Sequence, residues 1–156
     1  MSEILICTGP VKSGKTTLLM QWATTHKSID GIFQPVIDEK RFLYHIGSRT
    51  LKALETNSEM NTFIIGNYRF SNESFDWAKN LLLDCFEKEI DWLIIDEVGP
   101  LELEGKGLEP AVSKILNERA RLKCMIICVV REKLLDQFLI HYKLNNSYKI
   151  FNAAQI

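Results

Sequence analysis

A chain of 156 residues with 46% apolar and 25% charged residues has the balance of one globular domain, neither disordered nor fibrous. Its formal net charge of −1 offers no basic footprint for nucleic acid or an anionic membrane. No apolar run approaches the roughly 18–20 residues that cross a bilayer, and MSEILICTG has neither a basic segment before its apolar run nor a small-residue cleavage site after it. The expectation is a single domain over residues 1–156, in the cytosol.

The first predicted element is the short strand ILIC (4–7). It runs straight into GPVKSGKT (9–16), which fits G-x-x-x-x-G-K-[ST] at every fixed position. The stripe Leu18, Leu19, Trp22 and Ala23 then marks a helix that this loop opens. In that setting the physical reading is a phosphate cradle. Glycines let backbone N–H groups converge on phosphate oxygens at a helix N-terminus. Lys15 would bridge the β- and γ-phosphates, and the Thr16 hydroxyl would ligate Mg²⁺. The nucleotide-binding set is therefore Gly9, Pro10, Val11, Lys12, Ser13, Gly14, Lys15, Thr16 and Thr17, of which Lys12 occupies a variable position.

Next, GIFQPVID (31–38) contains a second core strand. The region from about 39 to 70 is less regular: RFLYHI (41–46) and TFIIGNYRF (62–70) alternate enough to predict an antiparallel hairpin or flap. A helix follows on Phe75, Ala78, Leu82 and Phe86, with Ser71-Asn72-Glu73 as cap and acidic first turn. The run WLII (92–95) is apolar without alternation, as in a strand buried on both faces, and ends at Asp96-Glu97. A carboxylate at the end of such a strand suits the Mg²⁺ shell of a phosphate-loop enzyme. Its neighbour Glu97 could orient and deprotonate a water for in-line attack, which leans toward hydrolysis.

The remaining elements are a helix on Leu108, Ala111, Val112, Ile115 and Leu116, the strand MIICVV (125–130), a weaker helix on Leu134, Leu135, Phe138 and Leu139, and the strand SYKIF (147–151). Strand and helix alternate, so the fold class is α/β with a mainly parallel sheet flanked by helices. Arg131, directly after MIICVV, is a candidate to meet charge on the γ-phosphate; Arg69 is a weaker one. Cys7, Cys85, Cys124 and Cys128 form no C-x-x-C pair and read as buried free thiols. His26, His45 and His141 have no triad partner or metal spacing.

The stretches GPVKSGKTTLL, GNYRF and LIIDEVGPLELEGKGLEPAV together resemble the small THEP-type nucleoside-triphosphatases. That family pairs G-x-x-x-x-G-K-T-T-L with D-E-[IV]-G-x-[ML]-E, matched here by Asp96, Glu97, Gly99, Leu101 and Glu102 over roughly residues 3–130. Gly31–Asp38 and Arg41–Tyr44 depart from its pattern. The resemblance implies a three-layer phosphate-loop fold with a RecA-like core. In it the strand ending in Asp96 lies away from the loop strand, with MIICVV between them. It also implies Mg²⁺-dependent hydrolysis of several nucleoside triphosphates to the diphosphate. Two other readings stand beside it: a nucleotide or small-molecule kinase with its acceptor near Asp38 or Arg69, and a nucleotide-dependent switch or adaptor.

Overall fold

A computed structural model describes residues 2–9 and 14–152. The chain begins with β1 (Ile4–Gly9), α1 (Lys15–Ala23) and β2 (Ile29–Phe33). An insertion of five short strands follows: β3 (Val36–Ile37), β4 (Lys40–His45), β5 (Thr50–Ala53), β6 (Thr62–Ile65) and β7 (Tyr68–Ser71). It then returns through α2 (Asn72–Leu83), β8 (Trp92–Asp96), the one-turn α3 (Pro100–Leu103), α4 (Ala111–Asn117), β9 (Met125–Arg131), α5 (Leu135–His141) and β10 (Lys149–Asn152). Among the described residues no helix is long and apolar enough to cross a membrane.

The main sheet has the order β10-β1-β9-β8-β2-β4-β3, with β5 on the free side of β4. From β10 to β2 every neighbouring pair is parallel; β2–β4, β3–β4 and β4–β5 are antiparallel. This is the predicted α/β architecture, and β9 lies between β1 and β8 as the resemblance implied.

The apolar runs lack alternation because helices cover both faces of the sheet. Along β9, Ile126, Cys128 and Val130 join Ile4, Ile6, Leu93 and Ile95 under α2, α4 and α5. Ile127 and Val129 point the other way and pack with Cys7, Ile94 and Phe33 against Leu19 of α1. Each such aliphatic side chain withdrawn from water contributes roughly 1.5–3 kcal/mol before chain entropy is counted. Helix α2 begins where its cap predicts: the Ser71 hydroxyl accepts from the Ser74 N–H at 3.2 Å. Phe75, Ala78 and Leu82 are buried on the inner face.

The insertion corrects the sequence reading in one respect. It is not one flap but two hairpins: β4–β5 extends the main sheet through β2, whereas β6–β7 pairs with itself. The junction is tight at Gly31, whose φ is +131° and where an added Cβ would meet the Ile94 carbonyl oxygen at 2.1 Å. Only glycine lets β2 lie this close to β8. All four cysteines are buried and outside any disulfide among the described residues, and burial pushes the thiols of Cys85 and Cys128 up to about 12.

Candidate active site

The carboxyl ends of β1, β9, β8 and β2 open together, and the phosphate-loop residues meet the acidic motif there. Pro10, Val11, Lys12 and Ser13 lie outside the described residues. Gly9 closes β1, and Gly14 starts α1 at φ +80°. Nothing lies within 4 Å of a Cβ built at Gly14, so glycine serves there by its left-handed backbone and not by its size. Lys15 is buried, and its Nζ donates to the Gly9 carbonyl at 3.1 Å, folding the side chain back over the loop.

Thr16 faces Asp96 across the cleft, its hydroxyl donating to Asp96 Oδ2 at 2.7 Å. The same oxygen accepts from the Gln34 N–H at 3.2 Å. Asp96 is 1% exposed, and burial pushes its carboxyl up to about 7, opposed by the Thr16 hydrogen bond and reinforced by the charge of Glu97. Among the described residues Asp96 makes no ion pair within 4 Å. A buried carboxylate hydrogen-bonded to a hydroxyl is a fitting donor set for a small hard divalent ion. Among the described residues no three His, Cys, Asp or Glu side chains cluster. Such a metal would therefore complete its shell from phosphate and water, the habit of Mg²⁺ in nucleotide enzymes.

Glu97 comes next, joined to Asp96 by a cis peptide, and is held by two arginines. Arg131 grips it with two prongs, Nη2 to Oε1 at 3.0 Å and Nε to Oε2 at 3.4 Å. Arg41 Nη1 lies 3.6 Å from Oε1. Arg131 reaches this position because β9 pairs with β1 in the register Gly9↔Arg131, directly beside the phosphate loop.

Gly14, Lys15, Thr16, Thr17, Asp96, Glu97 and Arg131 line one cleft of about 460 Å³ with Gln34, Val36 and Arg41. Past Glu97 a second recess of about 260 Å³ shares Gln34, Arg41, Glu97 and Arg131 and is walled by Tyr68, Phe70, Phe75 and Leu101. A larger hollow of about 800 Å³ lies near the far end of α1 and has only Met20 in common with the cleft. Its buried Asp30 is met by Lys88 Nζ at 2.7 Å and His45 Nε2 at 2.9 Å. Burial would raise that carboxyl, but Lys88, the Gly31 N–H and His45 outweigh it and hold it below its usual range.

The structure thus brings Gly14, Lys15, Thr16, Thr17, Asp96, Glu97 and Arg131 to the cleft, while Gly9 meets it through its carbonyl's hydrogen bond from Lys15. Arg69 is not brought there: it donates to Thr62 Oγ1 at 3.1 Å within the β6–β7 hairpin. Asp38, in the turn between β3 and β4 at φ +50°, does not line the cleft either. Three contributors escaped the site reading. Arg41 and the Gln34 N–H come from the insertion side, where only their position after the second strand hinted at them. Glu102 was seen as a motif match without a role. It is 4% exposed and accepts from the Gly99 N–H at 2.8 Å and the Leu108 N–H at 2.9 Å, tying together the loop after Glu97. Its position three residues after Gly99, with Pro100 between, is the spacing of a helix-start box. Burial lifts its carboxyl to about 7 against those hydrogen bonds.

Comparison with known proteins agrees with this geometry. A sequence profile described as NTPase matches residues 4–155. The nucleoside-triphosphatase THEP1 of Caldivirga maquilingensis is 26% identical over 130 residues, covering 76% of this chain and 72% of that protein. The crystal structure of THEP1 from the hyperthermophile Aquifex aeolicus covers 98% of this chain and 90% of its own, with a TM-score of 0.74 at 17% identity, a likeness of fold.

Proposed function

Since this chain belongs to the THEP-type NTPase family, the nucleoside-triphosphatases, we propose that it hydrolyses ATP, GTP and other nucleoside triphosphates to the diphosphate and phosphate with Mg²⁺. The observation that carries the reading is the meeting of Lys15, Thr16, Asp96 and Glu97 in one cleft at the carboxyl edge of the sheet.

The chain's own groups divide the work. Backbone N–H groups of the glycine loop, which Pro10 lacks, and the Lys15 ammonium would hold the β- and γ-phosphates. The Thr16 hydroxyl and the Asp96 carboxylate would hold Mg²⁺, which supplies charge neutralisation on the β- and γ-oxygens. Glu97 orients a water opposite the leaving oxygen and takes its proton as the water oxygen bonds to the γ-phosphorus. The bond from that phosphorus to the β,γ-bridging oxygen breaks, and the diphosphate leaves. Arg131 sets the angle of Glu97 and faces the charge that spreads over the transferred group. The buried free thiols suit a reducing cytosolic setting.

Phosphate release should be measured for ATP, GTP, CTP, UTP and their diphosphates, with Mg²⁺ and with EDTA. Release from triphosphates with Mg²⁺ and its loss in EDTA is the expected result; no Mg²⁺-dependent release from any triphosphate would sink the reading. One observation favours phosphoryl transfer instead, the aromatic-walled recess beyond Glu97. A phosphorylated product appearing only when a small alcohol is added would establish that alternative.

A further inference from the structure

We propose that Arg41 reads the γ-phosphate: it leaves Glu97 when a triphosphate arrives, and so makes the site prefer triphosphates to diphosphates. The inference rests on the nucleotide-hydrolysis reading above and adds to it a residue and a source of selectivity.

Two guanidiniums share one carboxylate, and they are held very differently. Arg131 makes two hydrogen bonds to Glu97, one to each oxygen. Arg41 has a single contact at 3.6 Å, beyond hydrogen-bond length. Its guanidinium carries five donors, and among the described residues this is its only charge contact. Arg41 therefore forfeits little by moving, whereas Arg131 would forfeit a bidentate pair.

The backbone beneath Arg41 is fixed. The Arg41 carbonyl accepts from the N–H groups of Leu54 at 3.1 Å and Glu55 at 3.2 Å. The Arg41 N–H donates to Glu55 Oε1 at 3.2 Å. A pinned strand with a loosely held guanidinium, 30% exposed, has its mobility confined to the side chain. That side chain borders both the phosphate cleft and the recess beyond it.

Charge decides which anion it prefers. Among the described residues Lys15, Arg41 and Arg131 line the cleft with Asp96 and Glu97, three basic groups against two acidic ones. A terminal γ-phosphate brings more negative charge than one carboxylate and more oxygens for a planar fork to grip. A diphosphate ends one phosphate short and leaves Arg41 where it is. The bland alternative is a half-exposed cation near an acid with no effect on binding, as many surface pairs are. The two differ in what they predict for triphosphate against diphosphate.

The test is calorimetric titration of the full chain with Mg²⁺-ADP and with Mg²⁺ and a non-hydrolysable ATP analogue, for the parent, Arg41→Ala and Arg41→Gln. Losing one charge-assisted contact should weaken analogue binding about tenfold or more and leave ADP affinity within about twofold. In turnover, kcat for ATP should fall with it. Arg41→Lys should restore part of the analogue affinity and less of the kcat, since an ammonium cannot fork. An unchanged analogue-to-ADP ratio in both Ala and Gln variants, or equal loss for both ligands, would overturn the proposal while leaving the hydrolase reading intact. A parent protein that binds neither nucleotide would instead remove the reading on which it rests. Arg41→Gln keeps the stem and hydrogen bonding, so the comparison stands even if Arg41→Ala proves unstable.

Discussion

The parallel part of the sheet and the antiparallel insertion are built on opposite rules. Strands β1, β8 and β9 are buried on both faces, and their side chains are almost all apolar until the last residue, where Asp96 and Arg131 emerge at the edge. The insertion strands leave Val36, Leu51, Ile64 and Tyr68 in contact with solvent. In the first region, the fold dictates position so tightly that function can occupy only strand ends. In the second, side chains are free to differ, and the one that reaches the chemistry is Arg41. Doubly covered strands thus hold the groups whose placement must be exact, and a pinned strand of the insertion carries the arginine whose side chain is loosely held.

Breaking the rigid half at its catalytic edge should give the largest effect. Glu97→Gln keeps the shape but cannot take a proton, so kcat should fall by about 10²–10⁴-fold while nucleotide affinity changes little; single-turnover phosphate release would measure it. Lys15→Ala should weaken triphosphate binding by roughly thirty-fold or more, as expected for truncating a buried charge contact worth about 2–5 kcal/mol. Near-normal affinity in a folded variant would reduce the glycine loop to a turn.

The stability contrast is sharper still when paired. Ile127→Ala, at a fully buried site on β9, should cost about 2–5 kcal/mol in urea unfolding. Ile64→Ala, at a 58% exposed site on β6, should stay within about 0.5 kcal/mol. Comparable losses at both would erase the distinction between the halves.

The subtlest test concerns Asp96 in protein free of metal and nucleotide. Its folded pKa, about 7, lies above its ordinary 3.8. Such a group gives its full stability below about pH 4 and loses it as pH rises through 7. Asp96→Asn removes that loss and keeps an acceptor for Thr16. The variant should match the parent only below about pH 4, gain on it steadily as pH rises, and melt several degrees higher at pH 8. A parent that is more stable than the variant at pH 8 would contradict the raised pKa.

What the sequence disclosed follows the same division. Runs such as MIICVV announce a doubly covered strand because no surface position tolerates six apolar residues in a row. Gly9, Gly14, Lys15, Thr16 and Asp96 were legible because a phosphate site ties chemistry to local spacing. Arg41 was not, since an arginine on an alternating strand looks the same whether it faces water or a carboxylate 56 positions away. Its contact with Glu97 arises from β4 pairing with β2, and β2 with β8. The insertion reads only as a hairpin or flap for a related reason: alternation reveals a half-buried strand but not its partner. Glu102 and Glu109 are buried carboxylates, and a glutamate in sequence gives no sign of the N–H and hydroxyl donors that folding will place around it.

The position of β1 between β9 and β10 also constrains how the protein is made. Ile4 stands opposite Ile126, and Leu5 opposite both Ile127 and Lys149, so β1 is made long before either strand that it pairs with. Until those are made its apolar residues have no strand to pair with, and closing so long a loop delays their pairing. Before β9 the chain can settle the hairpins and α2 and pair β2 with β4 and β8. The nucleotide site therefore cannot mature before β9 is made, and a nascent chain halted short of β9 would hold β1 without that neighbour.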